Sequence, residues 1–373
     1  MGLTPQELSR YSRHLALSEF GAAGQEKLKA ARVLVVGAGG LGSPALLYLA
    51  AAGVGTIGIV EFDRVDISNL QRQVLFDSAQ IGQSKGHAAG RRLQALNPTL
   101  NIQIHEVELQ ASNVMTIIGD YDLVLDGTDQ FAARYLINDA CVLLGKSLVS
   151  AAIHRFEGQL FTYVPNLGPC YRCLFPVSPA ENSIPNCAEA GVLGVLPGVM
   201  GSLQATEAIK LIAGMGEPLI GRLLTYDALS MSFSEFKFSA RSDCAVCGLS
   251  PSIIAPQDGS SRCDSKHADP ISINQLHALL ETDRRNTLLI DVREQYEFSA
   301  GHIDGAVNIP LSDLSHSSIP SDKFSSIVFI CRSGGRSAHA CRWFKSHSQI
   351  KAMDVAGGML AWQQAIDSSV LVV

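Results

Sequence analysis

Residues 32–72, RVLVVGAGGLGSPALLYLAAAGVGTIGIVEFDRVDISNLQR, constrain the fold more than any other stretch. Val33 to Val36 is a short β-branched run that reads as a strand. Gly37-Ala38-Gly39-Gly40-Leu41-Gly42 follows as a turn, then an alanine-rich apolar helix, then a second strand from Thr56 to Glu61. Asp63 lies about twenty residues past the last glycine, the layout of a nucleotide-binding βαβ unit. Glycine lets the backbone turn tightly and approach a phosphate, and the helix start offers it free N–H groups. Gly37, Gly39, Gly40 and Gly42 are the expected cradle, and Asp63 the expected acceptor for ribose hydroxyls.

What the unit binds depends on its continuation. A glycine turn of this kind most often serves a nicotinamide or flavin cofactor, and a nicotinamide enzyme stays open as a rival. This chain adds Asn69, Arg72 and Lys85, three groups suited to a triphosphate. Lys85 opens a helix, where the dipole does not favour a cation. That misfit points to function, with a solvated lysine as the bland alternative. A further strand, Leu123 to Leu125, carries Asp126 and Asp129 at its carboxyl end, where ligands of open parallel sheets collect. Asp129 is placed to hold Mg²⁺ through carboxylate oxygens and waters; its rival role is to cap the next helix. Asp126 reads as structural.

The combination GAGGLGS…EFDRVDISNLQRQ…GQSK resembles the MoeB/ThiF family of ATP-dependent activators of ubiquitin-like sulfur carriers, from about Tyr11 to Gly248. The resemblance implies a Rossmann-like ATP-binding adenylation domain, with Asp129 as the family's metal-binding aspartate. It implies a homodimer in which Arg13, within RYSRH, reaches the partner's ATP site; the bland reading is a solvated basic helix face. Residues 4–30 read as one helix, with Thr4 as N-cap and Pro5 in the first turn.

Two CxxC pairs, Cys170/Cys173 and Cys244/Cys247, supply the four thiolates of a tetrahedral Zn²⁺ site. Their separation makes spacing alone moderate evidence, and the resemblance strengthens it. A redox CxxC usually opens a helix, and neither pair is expected to do so. Between them, Phe175 to Gly191 is rich in proline and polar residues and reads as a mobile loop. The resemblance places Cys187 at the cysteine of a loop crossing the nucleotide site, as a covalent nucleophile or an incidental thiol.

From Pro251 to Pro270 the chain turns polar and linker-like. Three parts are expected: an adenylation domain over 1–250, a linker over 251–270 and a second α/β domain over 271–373. In the last, DVREQYEFSAGHIDGAVNIP…CRSGGRS…GGMLAW resembles the rhodanese sulfurtransferases. Cys331 lies between a strand and a helix start, where aligned N–H groups stabilise a thiolate or a persulfide. Arg332 and Arg336 are expected to add positive potential. A phosphatase loop also rings an anion with a cysteine and an arginine, but with a longer spacing than the four residues between Cys331 and Arg336. Cys341 reads as packed, as does Cys141.

Composition sets outer bounds. The chain has 373 residues, 47% hydrophobic and 17% charged, with a formal net charge of −6, which gives no support for nucleic-acid binding. It has no apolar run long enough for a transmembrane helix, and MGLTPQELSR lacks the apolar core of a signal peptide. The nine cysteines are odd in number and unevenly spaced. A cytoplasmic protein is expected, with cysteines as ligands, nucleophiles and core.

Taken together, the resemblances imply adenylation of the terminal glycine of a small ubiquitin-like sulfur carrier ending in Gly-Gly. Arg72, Lys85 and Arg13 would counter phosphate charge. A Cys331 persulfide would then displace AMP, with Cys187 or an external reductant releasing the thiocarboxylate. The sulfur donor is thiosulfate or a cysteine desulfurase. Activation of a modifier for protein conjugation, with the rhodanese part accessory, is the alternative; a non-catalytic interaction module is a further rival.

Overall fold

Val33 and Val35 face one side of the first strand and Leu34 and Val36 the other, and all four are buried. A strand buried on both faces belongs inside a parallel sheet with helices on each side. The computed structural model describes residues 2–178, 191–258, 270–314, 319 and 323–372. It divides into two units, Met1–Ser260 and Ser261–Val373.

The first unit contains β1 (Arg32–Val36), β2 (Thr56–Val60), β3 (Asn101–His105), β4 (Leu123–Asp126), β5 (Ser147–His154), β6 (Glu157–Tyr163), β7 (Arg222–Asp227) and β8 (Ser232–Lys237). They order as β3-β2-β1-β4-β5-β6-β7-β8. The first five are parallel, and β6, β7 and β8 continue the sheet antiparallel. Helices Gly42–Ala52 and Leu196–Ala213 contribute Leu46, Leu49, Met200 and Ala205 to the core on one face. Val114–Gly119 and Phe131–Leu144 contribute Ile118 and Ile137 to the other. The order reverses between β1 and β4, so the crevice for a ligand lies beyond their carboxyl ends.

Residues 4–30 depart from the single helix expected. They form Pro5–Arg10, Ser12–Leu15 and Gly21–Ala30. Thr4 does cap the first, in a reciprocal box with Glu7. The break falls at Tyr11, whose ring is buried and whose hydroxyl accepts a 2.8 Å hydrogen bond from Asn97 Nδ2. A tertiary anchor here outweighs local helix propensity.

The second unit holds β9 (Pro270–Ile271), β10 (Thr287–Asp291), β11 (Val307–Asn308), β12 (Ser326–Ile330) and β13 (Lys351–Val355), all parallel, in the order β11-β10-β12-β13-β9. Leu288, Ile290, Ile327 and Phe329 face one core; Leu289, Val328 and Ile330 face the other. Ser272 caps the helix Ile273–Thr282 by accepting from Gln275 N–H. Among the described residues, no helix is long and apolar enough to cross a membrane.

Candidate nucleotide, metal and sulfur-transfer sites

The glycine turn sits at the switch point between β1 and β4. Gly37 has φ +89°, and a Cβ on Gly42 would lie 1.9 Å from the Gly37 carbonyl oxygen. Both positions therefore exclude larger residues. Gly40 backs onto Pro197 and the Arg72 side chain, and Gly39 lies beside the Gln73 amide. Arg72 Nη1 donates to Ser68 O at 3.1 Å from the end of the short turn Ile67–Asn69. The structure thus brings Arg72 against the glycine turn, with Asn69 three residues before it. Gly37 also packs on Gly127 and the Thr128 backbone nitrogen, at the start of the loop after β4 in which Asp129 is the next residue.

The acid at the end of β2 is Glu61, which the sequence reading passed over in favour of Asp63. Glu61 is buried and accepts from Ala38 N–H inside the glycine turn and from Asp63 N–H, each at 2.9 Å. Asp63 lies beyond the strand with a 56% exposed side chain. It pairs with Lys85 Nζ at 3.1 Å, and Lys85 is itself 5% exposed. Both acids fall near the right distance from the glycines; the strand's end separates them, and a sequence marks that end only loosely.

Asp129 is exposed and makes no side-chain hydrogen bond among the described residues. The cap of the next helix is Gln130, without a side-chain bond, so the capping role is not taken by Asp129. Asp126 is structural as expected: fully buried, it accepts from Ser150 Oγ at 2.7 Å and Thr128 Oγ1 at 2.6 Å and pairs with Arg134 at 3.3 Å. Arg13 is exposed on the helix Ser12–Leu15, and no hydrogen bond or ion pair ties it to these groups. Cys187 lies outside the described residues.

The four thiols Cys170, Cys173, Cys244 and Cys247 converge within 4.8 Å of one another. The contacts between pairs, Cys170–Cys244 at 3.6 Å and Cys173–Cys247 at 3.4 Å, are shorter than the 4.0 Å within the first pair. Burial raises the Cys170 thiol far above its ordinary range and pushes Cys247 up to about 12. Burial also opposes ionisation of Cys244, but backbone N–H groups of Cys247 and Val246 hold it below its ordinary value. Contrary to expectation, Cys170 does open a helix, the four-residue turn Tyr171–Leu174. Arg172 inside that turn makes a two-pronged 2.7 Å pair with Asp139 and fixes the knuckle to the helix Phe131–Leu144.

In the second unit, Cys331 follows β12 directly and is 1% exposed. Gly334 N–H donates to its sulfur at 3.1 Å from the start of the helix Gly335–His347. Arg336 differs from expectation. Its guanidinium is buried in a two-pronged pair with Glu297 at 2.6 and 2.7 Å, so its charge is balanced within the protein. Burial works against the Glu297 carboxylate, but the Arg336 fork prevails and lowers its pKa. Glu297 stands 39 residues away, a partner that no local motif reveals. Cys341 is buried in the core, and so is Cys141, its thiol raised by burial.

Residues 11–246 match the ThiF family and residues 272–365 the rhodanese-like domain. The chain is 45% identical to the protein named "Probable adenylyltransferase/sulfurtransferase MoeZ" of Mycobacterium tuberculosis, over 96% of this chain and 94% of that protein. It is 40% identical to the adenylyltransferase and sulfurtransferase MOCS3 of Culex quinquefasciatus, over 98% of this chain and 89% of that one. A sulfur carrier protein adenylyltransferase of Thermus thermophilus is 52% identical over 67% of this chain and 94% of its own length. Among solved structures, E. coli MccB with ATP aligns with a TM-score of 0.57 at 24% identity, covering 66% of this chain and 75% of that chain, a likeness of fold alone. The chain belongs to the ThiF family, with a rhodanese-like domain following its ThiF part.

Proposed function

We propose that this adenylyltransferase and sulfurtransferase activates the C-terminal glycine of a ubiquitin-like sulfur carrier with ATP and converts it to a thiocarboxylate. The observation that carries the reading is one chain holding a glycine turn with Arg72 packed against it, Lys85 paired with Asp63 just beyond β2, and a cysteine set against a helix start. The carrier's carboxylate attacks the α-phosphate; the acyl-adenylate forms and pyrophosphate leaves. Arg72 and Lys85, with a partner copy's Arg13 in a homodimer, balance the charge. Asp129 is free to hold Mg²⁺, which would screen the phosphates. The persulfide on Cys331 then attacks the acyl carbon, AMP leaves, and a thiol such as Cys187 or an external reductant cleaves the resulting acyl disulfide. Four converging thiols, three of them buried and that of Cys247 half-buried, fit Zn²⁺, which would bind as a structural ion.

Incubation with ATP, thiosulfate and a panel of Gly-Gly-ended carriers tests this directly. Mass spectra of the cognate carrier should show one oxygen exchanged for one sulfur. A folded, loaded protein giving neither that change nor an AMP adduct on any carrier would refute it.

For the ribose we assign Glu61 in place of Asp63, since the acid ending the second strand takes the hydroxyls in such folds. In ATP–pyrophosphate exchange, Glu61→Ala should raise the KM for ATP about tenfold, the order of one hydrogen bond to a charged group. It should also lose the preference for ATP over 2′,3′-dideoxy-ATP. Asp63→Ala should keep that preference. If Glu61→Ala discriminates as the unaltered protein does, the role returns to Asp63.

A further inference from the structure

The loop after β12 is held from behind. The carbonyls of Cys331 and Arg332 accept from Met359 N–H at 2.8 Å and Leu360 N–H at 3.0 Å, in the first turn of the helix Gly358–Ala365. Gly358 permits this approach: its φ is +56°, and a Cβ there would stand 2.3 Å from the Cys331 oxygen. With its carbonyls turned back, the loop presents Gly334 N–H to the Cys331 sulfur at 3.1 Å.

A second group meets the same sulfur. Ser337, in the first turn of Gly335–His347, is fully buried, and its Oγ lies 3.5 Å from Cys331 Sγ. In this state the thiol donates to the hydroxyl, and the hydroxyl donates to Gly334 O at 3.0 Å. Gly334 O also accepts Ala338 N–H at 3.1 Å. Should the hydroxyl turn away, that carbonyl keeps a partner, so the rotation leaves no buried oxygen unpaired.

We propose that the Ser337 hydroxyl is a catalytic group of the sulfur-transfer site, rotating from the Gly334 carbonyl to the Cys331 sulfur whenever that sulfur carries the negative charge. This rests on the reading of Cys331 as the persulfide carrier. The thiol first releases its proton to solvent. The thiolate attacks the outer sulfur of thiosulfate; the new S–S bond forms, the thiosulfate S–S bond breaks, and its electron pair leaves with sulfite. The charge then sits on the outer sulfur of the persulfide. When an acceptor such as cyanide takes that sulfur, the pair of the broken bond returns to Cys331 as thiolate, with thiocyanate as product. At both moments Ser337 O–H and Gly334 N–H flank the charged sulfur. Hydrogen bonds to ionised groups are the strong ones.

The test uses the full chain with Ser337→Ala, Ser337→Thr and Ser337→Val. Cyanide discharge of the persulfide-loaded protein should slow about tenfold in the Ala variant. Iodoacetamide alkylation of the Cys331 peptide should slow as well. Thr should restore most of both rates. Thr and Val share a shape and differ in the hydroxyl, so that pair decides the matter if Ala fails to fold. A merely structural serine predicts the reverse for alkylation, because Ala opens space around the sulfur. Alkylation as fast in Ala as in the unaltered chain, or equal in Thr and Val, would overturn the proposal. Absence of sulfur gain on the unaltered Cys331 peptide after thiosulfate, and after a cysteine desulfurase supplied with cysteine, would refute the persulfide reading instead. Alkylation needs no donor and still judges Ser337.

Discussion

Cys331→Ala is expected to abolish thiocarboxylate formation, by about a hundredfold or more, while carrier-dependent ATP–pyrophosphate exchange continues unchanged. Loss of a covalent nucleophile removes a step, and its effect is far larger than that of a binding contact. The substitution should not disturb the fold. The loop is held through the backbone carbonyls of Cys331 and Arg332 on the helix Gly358–Ala365, and those bonds do not involve the thiol. Alanine keeps the Cβ and removes only the sulfur that accepts from Gly334 N–H. In the proposed reaction exchange would draw on the glycine turn, Arg72 and Lys85 of the other unit, so the two activities should separate. With sulfide excluded, thiocarboxylate formed by Cys331→Ala at the unaltered rate would remove the persulfide from the mechanism. Loss of exchange alongside sulfur transfer would point to a collapse of the protein.

The βαβ unit was legible because two local signals agree. Val33 to Val36 announces a strand, and glycines at Gly37 and Gly42 meet a turn that larger residues could not make. The rhodanese loop was legible for the same reason, strand and helix start adjoining a single cysteine. What escaped the sequence depends on partners remote in the chain. Tyr11 breaks the first helix by reaching Asn97, 86 residues on. Arg336, expected to add positive potential beside Cys331, has its charge balanced by Glu297. Glu61 and Asp63 are two residues apart, and only the position of the strand's end distinguishes an acid turned into the glycine loop from one paired outward with Lys85. Ser337 was in plain view within CRSGGRS; its meaning needed the distance to Cys331. Short-range patterns expose backbone shape, and long-range pairing decides which charged groups remain available for chemistry.

The cluster of four cysteines yields the second large effect. Cys244→Ser should lower bound metal well below one equivalent and reduce the melting temperature of the adenylation unit by about 10 °C. Structural zinc stabilises only the folded state, so its loss is a loss of folding free energy. A deficit of about 4 kcal/mol at roughly 2–4 °C per kcal/mol gives that shift for a domain of this size. The geometry also explains why a ligand change should be costly. Cys170 and Cys173 meet Cys244 and Cys247 across 74 residues of chain, so the ion would join two distant segments. A redox role would instead need each CxxC to close on itself, yet both contacts between the pairs are shorter than the one within the first pair. Loading of Cys331 by thiosulfate should survive in Cys244→Ser, because that sulfur belongs to the other unit. A variant that keeps a full equivalent of metal and the unaltered melting temperature would rule out a structural ion at these four cysteines.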